Sequence, residues 1–252
     1  MAAVRKLADN QLQTFSHRDY VTDSLFDGIA KTVGENFKDG DFSFLDVGGG
    51  PGLFTDRLLE RFPTSRGAVL DNSELLLSEN TSNARKQLVL ASATDMAAKL
   101  EDRRFDIIFF NLSLHHFIGK RYSETRRIQR NALAQAVSLL APGGRVVVTE
   151  NLYDGIAIDN LPGWLVYMLT ASDFLAPVIK RLGANTAGCG VCFLSAGAWR
   201  KEFRRIGLRD SKFSADVWKE RRLWRAICFR LMSVRSISTG YFWLQPQPVE
   251  SN

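Results

Sequence analysis

The sequence predicts an α/β fold in which seven strands form a doubly wound, mostly parallel sheet with helices on both faces. Two observations support this prediction. Short apolar runs alternate with helical patterns from residue 42 to about residue 150, which is the order typical of repeated strand–helix units. The first apolar run is followed at once by a glycine-rich turn, Gly48 to Gly52, where a ligand can approach the backbone without meeting a Cβ.

Each predicted strand is a short apolar run bounded by turn residues. The strands are expected at residues 42–47, 68–70, 88–90, 105–110, 145–149, 210–213 and 241–244. Helices are expected from Leu53, over Tyr122 to Leu140, where Ala141-Pro142-Gly143-Gly144 ends the pattern, and over Trp199 to Ile206. The strand at 241–244 is expected to run antiparallel to the others.

The ends of the chain and one internal segment complete the predicted single domain, 1–252. Residues 20–33 place Leu25, Ile29 and Val33 on one helical face, which predicts a helical cover within 1–40. Residues 42–150 are the predicted ligand-binding core. Residues 151–198 are punctuated by glycine and proline and predict a helical lid over the carboxyl edge of the sheet, where open α/β sheets bind ligands. Residues 199–252 supply the last helices and strands.

Composition excludes several protein classes. The chain has 252 residues and 45% apolar content, enough for one sizeable core. The first thirty residues lack the apolar segment of a secretory signal, so a cytoplasmic protein is expected. The apolar stretch at 161–179 contains two prolines, a glycine and an aspartate, which argues against a membrane span.

The cysteines indicate neither a disulfide framework nor a metal site. There are three, Cys189, Cys192 and Cys228, and an odd number fits a reducing compartment. Cys189 and Cys192 have CxxC spacing, but no second pair follows to complete four zinc ligands. No metal is therefore expected.

The glycine turn does not fit the two commonest phosphate-binding patterns. A dinucleotide fingerprint, G-x-G-x-x-G, fails because Leu53 or Thr55 occupies the place of the last glycine. A phosphate loop fails because no lysine follows the glycines. Asp46, two residues before the first glycine, would repel a pyrophosphate and attract a cationic ligand.

The run Asp46-Val47-Gly48-Gly49-Gly50-Pro51-Gly52 resembles the D-x-G-x-G-x-G turn of class I, Rossmann-like S-adenosylmethionine-dependent methyltransferases. This resemblance extends over residues 40–150 and implies S-adenosyl-L-methionine as the cofactor. It implies that Asp71, with Asn72 after it, binds the ribose, and that Asn111 and Leu112 line the methionine moiety. At the adenine, where the family usually has an acid or amide, this chain has Ser92 and Ala93, with Asp95 farther along. The resemblance also implies that Asp46 and the turn residues contact the cofactor; these turn residues are Val47, Gly48, Gly49, Gly50 and Gly52.

Three residues near the ends of the fourth and fifth strands are candidates for proton transfer. His116 is the predicted general base, and its neighbour His115 is predicted chiefly to support packing. Glu150, after the fifth strand, is the second candidate, with anchoring of the lid as its alternative role. The acceptor pocket is predicted to be lined by His17, Tyr20, Tyr153, Trp164 and Tyr167.

These residues predict methyl transfer to oxygen or nitrogen of a small, largely apolar or aromatic molecule. Two alternatives stay open: an RNA methyltransferase acting on tRNA or rRNA, and a methyltransferase-like protein that binds ligand without catalysis. The first alternative would use the basic charge near the carboxyl end. Between Arg200 and Arg235 there are twelve Lys or Arg and four Asp or Glu.

Half of these basic residues lie in residues 218–235, which predict an amphipathic basic helix. Leu223, Trp224, Ile227, Leu231 and Val234 share one face, and Arg221, Arg222 and Arg225 share the other. The expected arrangement is a helix facing the core with a solvated basic side. A membrane surface, a nucleic acid or an acidic carrier protein is the alternative partner for the basic side.

Overall fold

The computed structural model describes residues 20–181, 186–219 and 223–247, with the side chains of 223–226 left out. Within these residues the strands are β1 (Ser43–Val47), β2 (Arg66–Asp71), β3 (Lys86–Leu90), β4 (Phe105–Asn111), β5 (Leu140–Gly155), β6 (Leu208–Val217) and β7 (Val234–Pro246). They form one seven-stranded sheet in the order β3-β2-β1-β4-β5-β7-β6. Strand β7 pairs antiparallel with both neighbours, and the other pairs are parallel. The predicted fold class, with its antiparallel late strand, is confirmed.

Helices connect these strands and cover both faces of the sheet. They are α1 (Asp23–Asn36), α2 (Leu53–Arg61), α3 (Glu74–Ser78), α4 (Met96–Lys99), α5 (Tyr122–Ser138), α6 (Leu161–Thr170), α7 (Ala176–Arg181), α8 (Ala196–Arg205) and α9 (Leu223–Leu231), with a 3₁₀ turn at Leu114–His116. Several begin at hydroxyl residues that accept an otherwise unpaired backbone N–H. Ser195 accepts from Ala198 and begins α8, and Ser73 accepts from Leu76 and begins α3.

The core consists of two apolar layers, one on each face of the sheet. Successive strand residues point to opposite faces, so Phe109 and Phe110 of β4 enter different layers. The first layer contains α1 and α2. The second contains α5 and α8, with Trp199 and Phe203 stacked against the sheet. Both layers leave the carboxyl ends of the parallel strands free to form a site.

Helix α1 belongs to the first core layer. Its predicted apolar face, Leu25, Ile29 and Val33, is buried with strand residues of the sheet. The Tyr241 hydroxyl of β7 donates to the Gly28 carbonyl at 3.2 Å, which connects this helix to the next-to-last strand of the sheet. A covering role for the residues before Tyr20 stays a prediction, because they lie outside the described residues.

Strands β5 and β7 are longer than the sequence predicts. Their ladder continues past Thr149 as far as the pair Gly155 and Val234. Polar side chains interrupt the apolar pattern in this extension, but they bond to each other across the ladder: Thr239 donates to Asn151 at 2.8 Å, and Ser236 donates to Asp154 at 3.1 Å. Paired polar groups are compatible with a strand, and a pattern of apolar residues alone does not detect them.

The predicted basic helix at 218–235 is wrong at both ends. Trp218 continues the extended chain after β6, since its N–H donates to the Ile237 carbonyl at 2.8 Å, and Arg235 lies in β7. The expected core-facing side is also wrong for Ile227 and Leu231, which are exposed, whereas Val234 is buried but lies in β7. Arg221 and Arg222, and the side chain of Arg225, are outside what the structure describes.

The sequence argues against a membrane span at 161–179, and the lengths of the helices bear on the same question. In the described part of the chain, no helix has both the length and the apolar character needed to cross a bilayer.

Candidate functional site

The glycine turn lies at the carboxyl end of β1 and is too crowded for side chains. Gly48 has φ +73°, and a Cβ there would lie 2.7 Å from the Ser113 Cβ. Gly52 has φ +74°, and a Cβ there would overlap the amide oxygen of Asn80. Both the positive φ and the close contacts therefore require glycine, and the turn presents bare backbone at the edge of the sheet.

Asp46 connects the ends of three neighbouring strands. It is buried and accepts a hydrogen bond from the Thr55 hydroxyl at 3.0 Å. Its other oxygen lies 3.4 Å from the Asn111 amide nitrogen, and the Asn111 oxygen accepts from Thr149 at 3.0 Å. The chain of bonds fixes the relative positions of the ends of β1, β4 and β5, where the predicted ligand contacts lie.

Asp71, at the end of β2, is bonded directly to the glycine turn. One carboxylate oxygen accepts from the Gly50 N–H at 3.0 Å, and the other accepts from the Ser73 N–H at 2.9 Å. Burial raises the pKa of the Asp71 carboxyl above its ordinary value, although backbone N–H groups of Ser73, Gly50 and Asn72 oppose the shift. Each oxygen keeps a second lone pair, so the carboxylate can still accept bonds from ligand hydroxyls. Asn72 is exposed beside it.

The turn after β3 contains the predicted adenine contacts. The Ser92 hydroxyl lies 2.9 Å from the Thr94 hydroxyl and accepts from the Thr94 N–H at 3.3 Å. Ala93 is buried, and Asp95 is exposed immediately before α4. The turn is ordered by its own hydroxyls, and contact with an adenine stays a prediction.

His115 and Glu150 form a buried pair where β4 and β5 end. The His115 Nδ1 lies 2.6 Å from one Glu150 oxygen, and the His115 backbone N–H donates to the other at 3.2 Å. Both side chains are almost fully enclosed. A carboxylate on Nδ1 favours the tautomer in which Nδ1 carries the proton, which leaves a lone pair on Nε2. The carboxylate predicted as a second base is thus bonded to His115.

His116 stacks against its neighbour, with ring centroids 4.2 Å apart. Burial holds the pKa of His116 well below the ordinary value for histidine, and the nearby His115 adds to this effect. At neutral pH the His116 ring is therefore uncharged. Its role as general base stays a prediction.

Phe193 and Tyr153 form an aromatic wall beside the His115–Glu150 pair. Phe193 lies between His115, at a centroid distance of 4.9 Å, and Tyr153, at 4.7 Å with nearly parallel rings. Burial raises the pKa of the Tyr153 hydroxyl to about 12, so Tyr153 is neutral. The Tyr153 N–H donates to the Leu194 carbonyl at 3.1 Å, which brings residues 193–194 beside β5. A flat apolar surface thus adjoins the histidine–carboxylate pair.

The other predicted acceptor residues are dispersed. Tyr167 is buried and packs against Tyr122 at 5.3 Å between ring centroids, with its hydroxyl 3.4 Å from the Gly119 carbonyl. Trp164 and Tyr20 are exposed. His17 lies outside the described residues. Among the described members of this group, Tyr153 packs against Phe193, which in turn packs against His115.

Sequence reasoning missed residues that hold the turn and the wall in place. Asn80 donates to the Gly50 carbonyl at 2.9 Å and to the Leu77 carbonyl at 3.1 Å. Ser113 donates to the Val47 carbonyl at 2.8 Å. For the predicted methionine contact Leu112, the sequence did not reveal the backbone angle: Leu112 adopts φ +53°, a left-handed conformation that is strained for leucine and frequent at functional sites. None of these contacts follows a local pattern, because each joins residues distant in sequence or depends on a backbone angle.

The site fits a ligand that combines a cation with a ribose. Bare backbone at the glycines allows close approach, Asp46 supplies negative charge under the turn, and Asp71 offers acceptor oxygens to hydroxyl groups. The fold and this site define the class of α/β proteins that bind a nucleoside cofactor at the carboxyl ends of parallel strands.

Comparison with known proteins identifies the family within that class. Residues 45–148 match a family model described as a methyltransferase domain. The match covers less than half of the chain, and the class of this domain, the Rossmann-like S-adenosylmethionine-dependent methyltransferases, is the one that the sequence predicts. The predicted family is confirmed.

Three similar proteins illustrate the match. A trans-aconitate 2-methyltransferase of Acidovorax sp. (strain JS42) is 37% identical over 109 residues, covering 41% of this chain and 36% of the relative. A ubiquinone/menaquinone biosynthesis C-methyltransferase of Dinoroseobacter shibae is 32% identical over 111 residues, covering 42% and 41%. The match thus spans less than half of these curated relatives. A methyltransferase structure from Thiobacillus denitrificans, in complex with S-adenosyl-L-homocysteine, shares the fold with a TM-score of 0.61 and 13% identity, covering 96% of this chain and 100% of that chain.

Proposed function

We propose that this protein transfers a methyl group from S-adenosylmethionine to oxygen or nitrogen of a small, largely apolar or aromatic molecule. The observation that carries the proposal is the His115–Glu150 pair: Glu150 directly follows Thr149, which bonds to Asn111, at the same sheet edge as the glycine turn. A cofactor-type turn and a group able to take a proton are thus placed side by side.

The residues around the turn would hold the cofactor. S-adenosylmethionine, when bound, supplies a methyl group activated by a sulfonium. Asp71 accepts hydrogen bonds from the ribose hydroxyls, with Asn72 beside it, and the backbone of Gly48 to Gly52 faces the amino-acid part. Asn111 and Leu112 contact the methionine moiety, and Ser92 and Ala93 contact the adenine.

The histidine pair supplies the base for acceptors that lose a proton. Glu150 holds the His115 ring through Nδ1, so Nε2 of His115 is the atom that can take the proton from a hydroxyl or ammonium group. His116 is the second candidate: its low pKa keeps it neutral and able to accept a proton, but makes it a weaker base. In either case the chain's task is to align the acceptor and remove one proton.

The aromatic wall bears on the class of acceptor. Phe193 and Tyr153 present stacked rings beside His115, and Tyr153 stays neutral, so an uncharged planar group would pack there without loss of solvated charge. The named substrates of the relatives, trans-aconitate and the ubiquinone and menaquinone precursors, are small molecules. This supports a small-molecule acceptor over a macromolecular one.

Two measurements test the proposal. Calorimetry with S-adenosylmethionine and S-adenosylhomocysteine should show saturable binding, and absence of binding would overturn the proposal. Candidate acceptors, namely phenols, quinols, carboxylic acids and amines, are then assayed by release of S-adenosylhomocysteine, with Glu150→Gln as the matched control. Cofactor binding without turnover of any small acceptor would favour a ligand-binding protein. Turnover of tRNA or rRNA alone would favour the RNA methyltransferase alternative.

A further inference from the structure

The rim beyond the site carries exposed apolar side chains from two parts of the chain. Phe174, before α7, is 90% exposed, and Leu231, at the end of α9, is 81% exposed. Ile156, Ile158, Trp164 and Met168 are exposed as well. We call these six residues the apolar rim. Soluble proteins seldom expose so many large apolar side chains in one region without a partner.

Backbone contacts bring the two parts together. The Ile156 N–H donates to the Ser233 carbonyl at 2.9 Å, so the loop after β5 abuts the turn that follows α9. The same loop leads directly into α6, since the Leu161 N–H donates to the Ile158 carbonyl at 3.1 Å. Helix α6 then exposes Trp164 and Met168, one turn apart. The loop after β5, the start of α6 and the turn after α9 therefore adjoin one another at the extended end of β5.

The rim lies on the acceptor side of the molecule. Strand β5 runs on from Thr149, which pairs with the last residue of β4, to Gly155. Helix α6 begins beside Phe193, because a Cβ on Gly163 would overlap the Phe193 carbonyl oxygen. Helix α7, which follows Phe174, has no buried residue.

Basic residues flank the rim. Lys180 and Arg181 end α7, and Lys219, Arg230 and Arg235 are exposed around α9. Two exposed acids, Asp173 and Asp216, lie near the same segments. Basic groups thus outnumber acidic ones by three among these residues. Exposed apolar side chains with a basic border are the combination that binds the interface of an anionic bilayer.

We propose that the apolar rim docks this protein onto an anionic membrane surface, with Phe174 and Leu231 inserted at the level of the headgroups. A second copy of the chain fits less well, because a symmetric dimer would bring the basic borders of two copies together. An acidic protein partner would match the charge, but not the nearly complete exposure of Phe174 and Leu231, which calls for an apolar phase around each side chain.

Vesicle sedimentation tests the proposal without any acceptor, so its outcome is separate from that of the proposed function. The wild type should bind vesicles of phosphatidylcholine mixed with phosphatidylglycerol more tightly than phosphatidylcholine alone, and added salt should weaken binding. The variant Phe174→Glu/Leu231→Glu should lower the partition coefficient about tenfold or more, because two apolar anchors are lost. Arg230→Glu/Arg235→Glu should abolish the preference for the anionic lipid.

Leu88→Glu is the matched control, because Leu88 is 44% exposed on β3, at the opposite edge of the sheet. This variant should bind vesicles as the wild type does. Circular dichroism confirms that each variant is folded, and Phe174→Ser/Leu231→Ser replaces the double Glu variant if that protein is unfolded. Absence of wild-type binding at low salt, or equal loss in the Leu88 control, would overturn the proposal. So would a dimer or an acidic-protein complex that depends on Phe174 while vesicles are not bound.

Discussion

Asp71 and Glu150 are two buried carboxylates whose partners suit them to different tasks. Asp71 accepts backbone N–H groups from the glycine turn and from Ser73, so its oxygens are fixed toward the place of a ribose. Glu150 accepts from the ring and backbone of His115, so it orients a side chain rather than a ligand. We therefore propose that the same residue chemistry serves ligand binding at Asp71 and proton transfer at Glu150.

Replacing Asp71 should weaken cofactor binding. We expect Asp71→Ala to cost about 1.5–3 kcal/mol of S-adenosylmethionine affinity, the scale of lost hydrogen bonds to a charged acceptor. Because burial raises the pKa of this carboxyl, its protonation on acidification begins at a higher pH than for an ordinary aspartate. Wild-type affinity should fall through that range, whereas Asp71→Asn should show a flat dependence. Calorimetry over a pH series measures both effects, and unchanged affinity in the Ala variant would move the ribose contact elsewhere.

The two histidines can be separated by their variants. If His115 is the base, His115→Ala should lower turnover by about 10²–10⁴-fold with little change in cofactor affinity, and Glu150→Gln should lower turnover as well, because the ring loses the carboxylate that orients it. If His116 is the base, His116→Ala should cause the larger loss. Because the pKa of His116 lies well below the ordinary value, a rate that depends on it should stay flat through neutral pH and fall only in acid. Near-normal turnover and an unchanged pH profile in both variants would show that alignment alone drives the reaction.

The sequence identified most of the polar site but not its connections. Asp46, the glycines and Asp71 lie in local motifs at strand ends, so spacing along the chain was sufficient to find them. The pairing of Glu150 with His115 rather than His116 depends on the register of β4 and β5, which spacing does not give. Phe193 lies 40 residues beyond Tyr153, and only the contact between residues 152 and 194 brings their rings together.

At the scale of elements, the turn between β1 and α2 is held from two sides. Ser113 contacts it from the loop after β4, and Asn80 contacts it from the segment after α3. Neither contact involves a ligand, so the turn is shaped before anything binds. Such preorganisation lowers the cost of ordering the site on binding.

Substitution of Gly48 tests that view. Gly48→Ala places a Cβ on a residue with positive φ, which by itself costs about 1–2 kcal/mol of stability. The new Cβ would also lie 2.7 Å from the Ser113 Cβ, so the total loss of stability should be larger. Gly143→Ala is the matched control, because Gly143 has φ +79° and open space around its Cβ position. We expect denaturant titration to show the larger loss for Gly48, and calorimetry to show weaker cofactor binding only for that variant. Equal losses of stability and equal cofactor affinities in the two variants would mean that Ser113 moves to make room for the new Cβ.

The sequence patterns predicted best those elements in which apolar residues recur at a single spacing and turn residues mark both ends. Strands β1 to β4 and helix α5 are of this kind, and their observed bounds differ little from the predicted ones. The patterns failed at β5, β7 and α9. In the first two, cross-strand polar pairs replace apolar residues, and at α9 the apolar face expected in the core is exposed at Ile227 and Leu231.

On the scale of the whole molecule, β7 unites the two ends of the described chain. It lies between β5 and β6, and its Tyr241 and Trp243 are buried against α1. The Tyr241 hydroxyl also lies 3.3 Å from the Thr32 hydroxyl. Secondary structure distant in sequence therefore shares one apolar layer, which predicts that the sheet and α1 unfold together.

Trp243→Ala tests this coupling. Removing a fully buried indole from the layer between α1 and the sheet should cost about 3–5 kcal/mol of unfolding free energy, through lost burial and the cavity left behind. Phe174→Ala is the control, because that ring is almost entirely exposed and its removal should change stability by less than about 0.5 kcal/mol. Urea titration should give a lower midpoint for Trp243→Ala with an unchanged slope, and tyrosine fluorescence and far-ultraviolet circular dichroism should report one coincident transition. Two separate transitions would show instead that α1 detaches from the sheet before β7 unfolds.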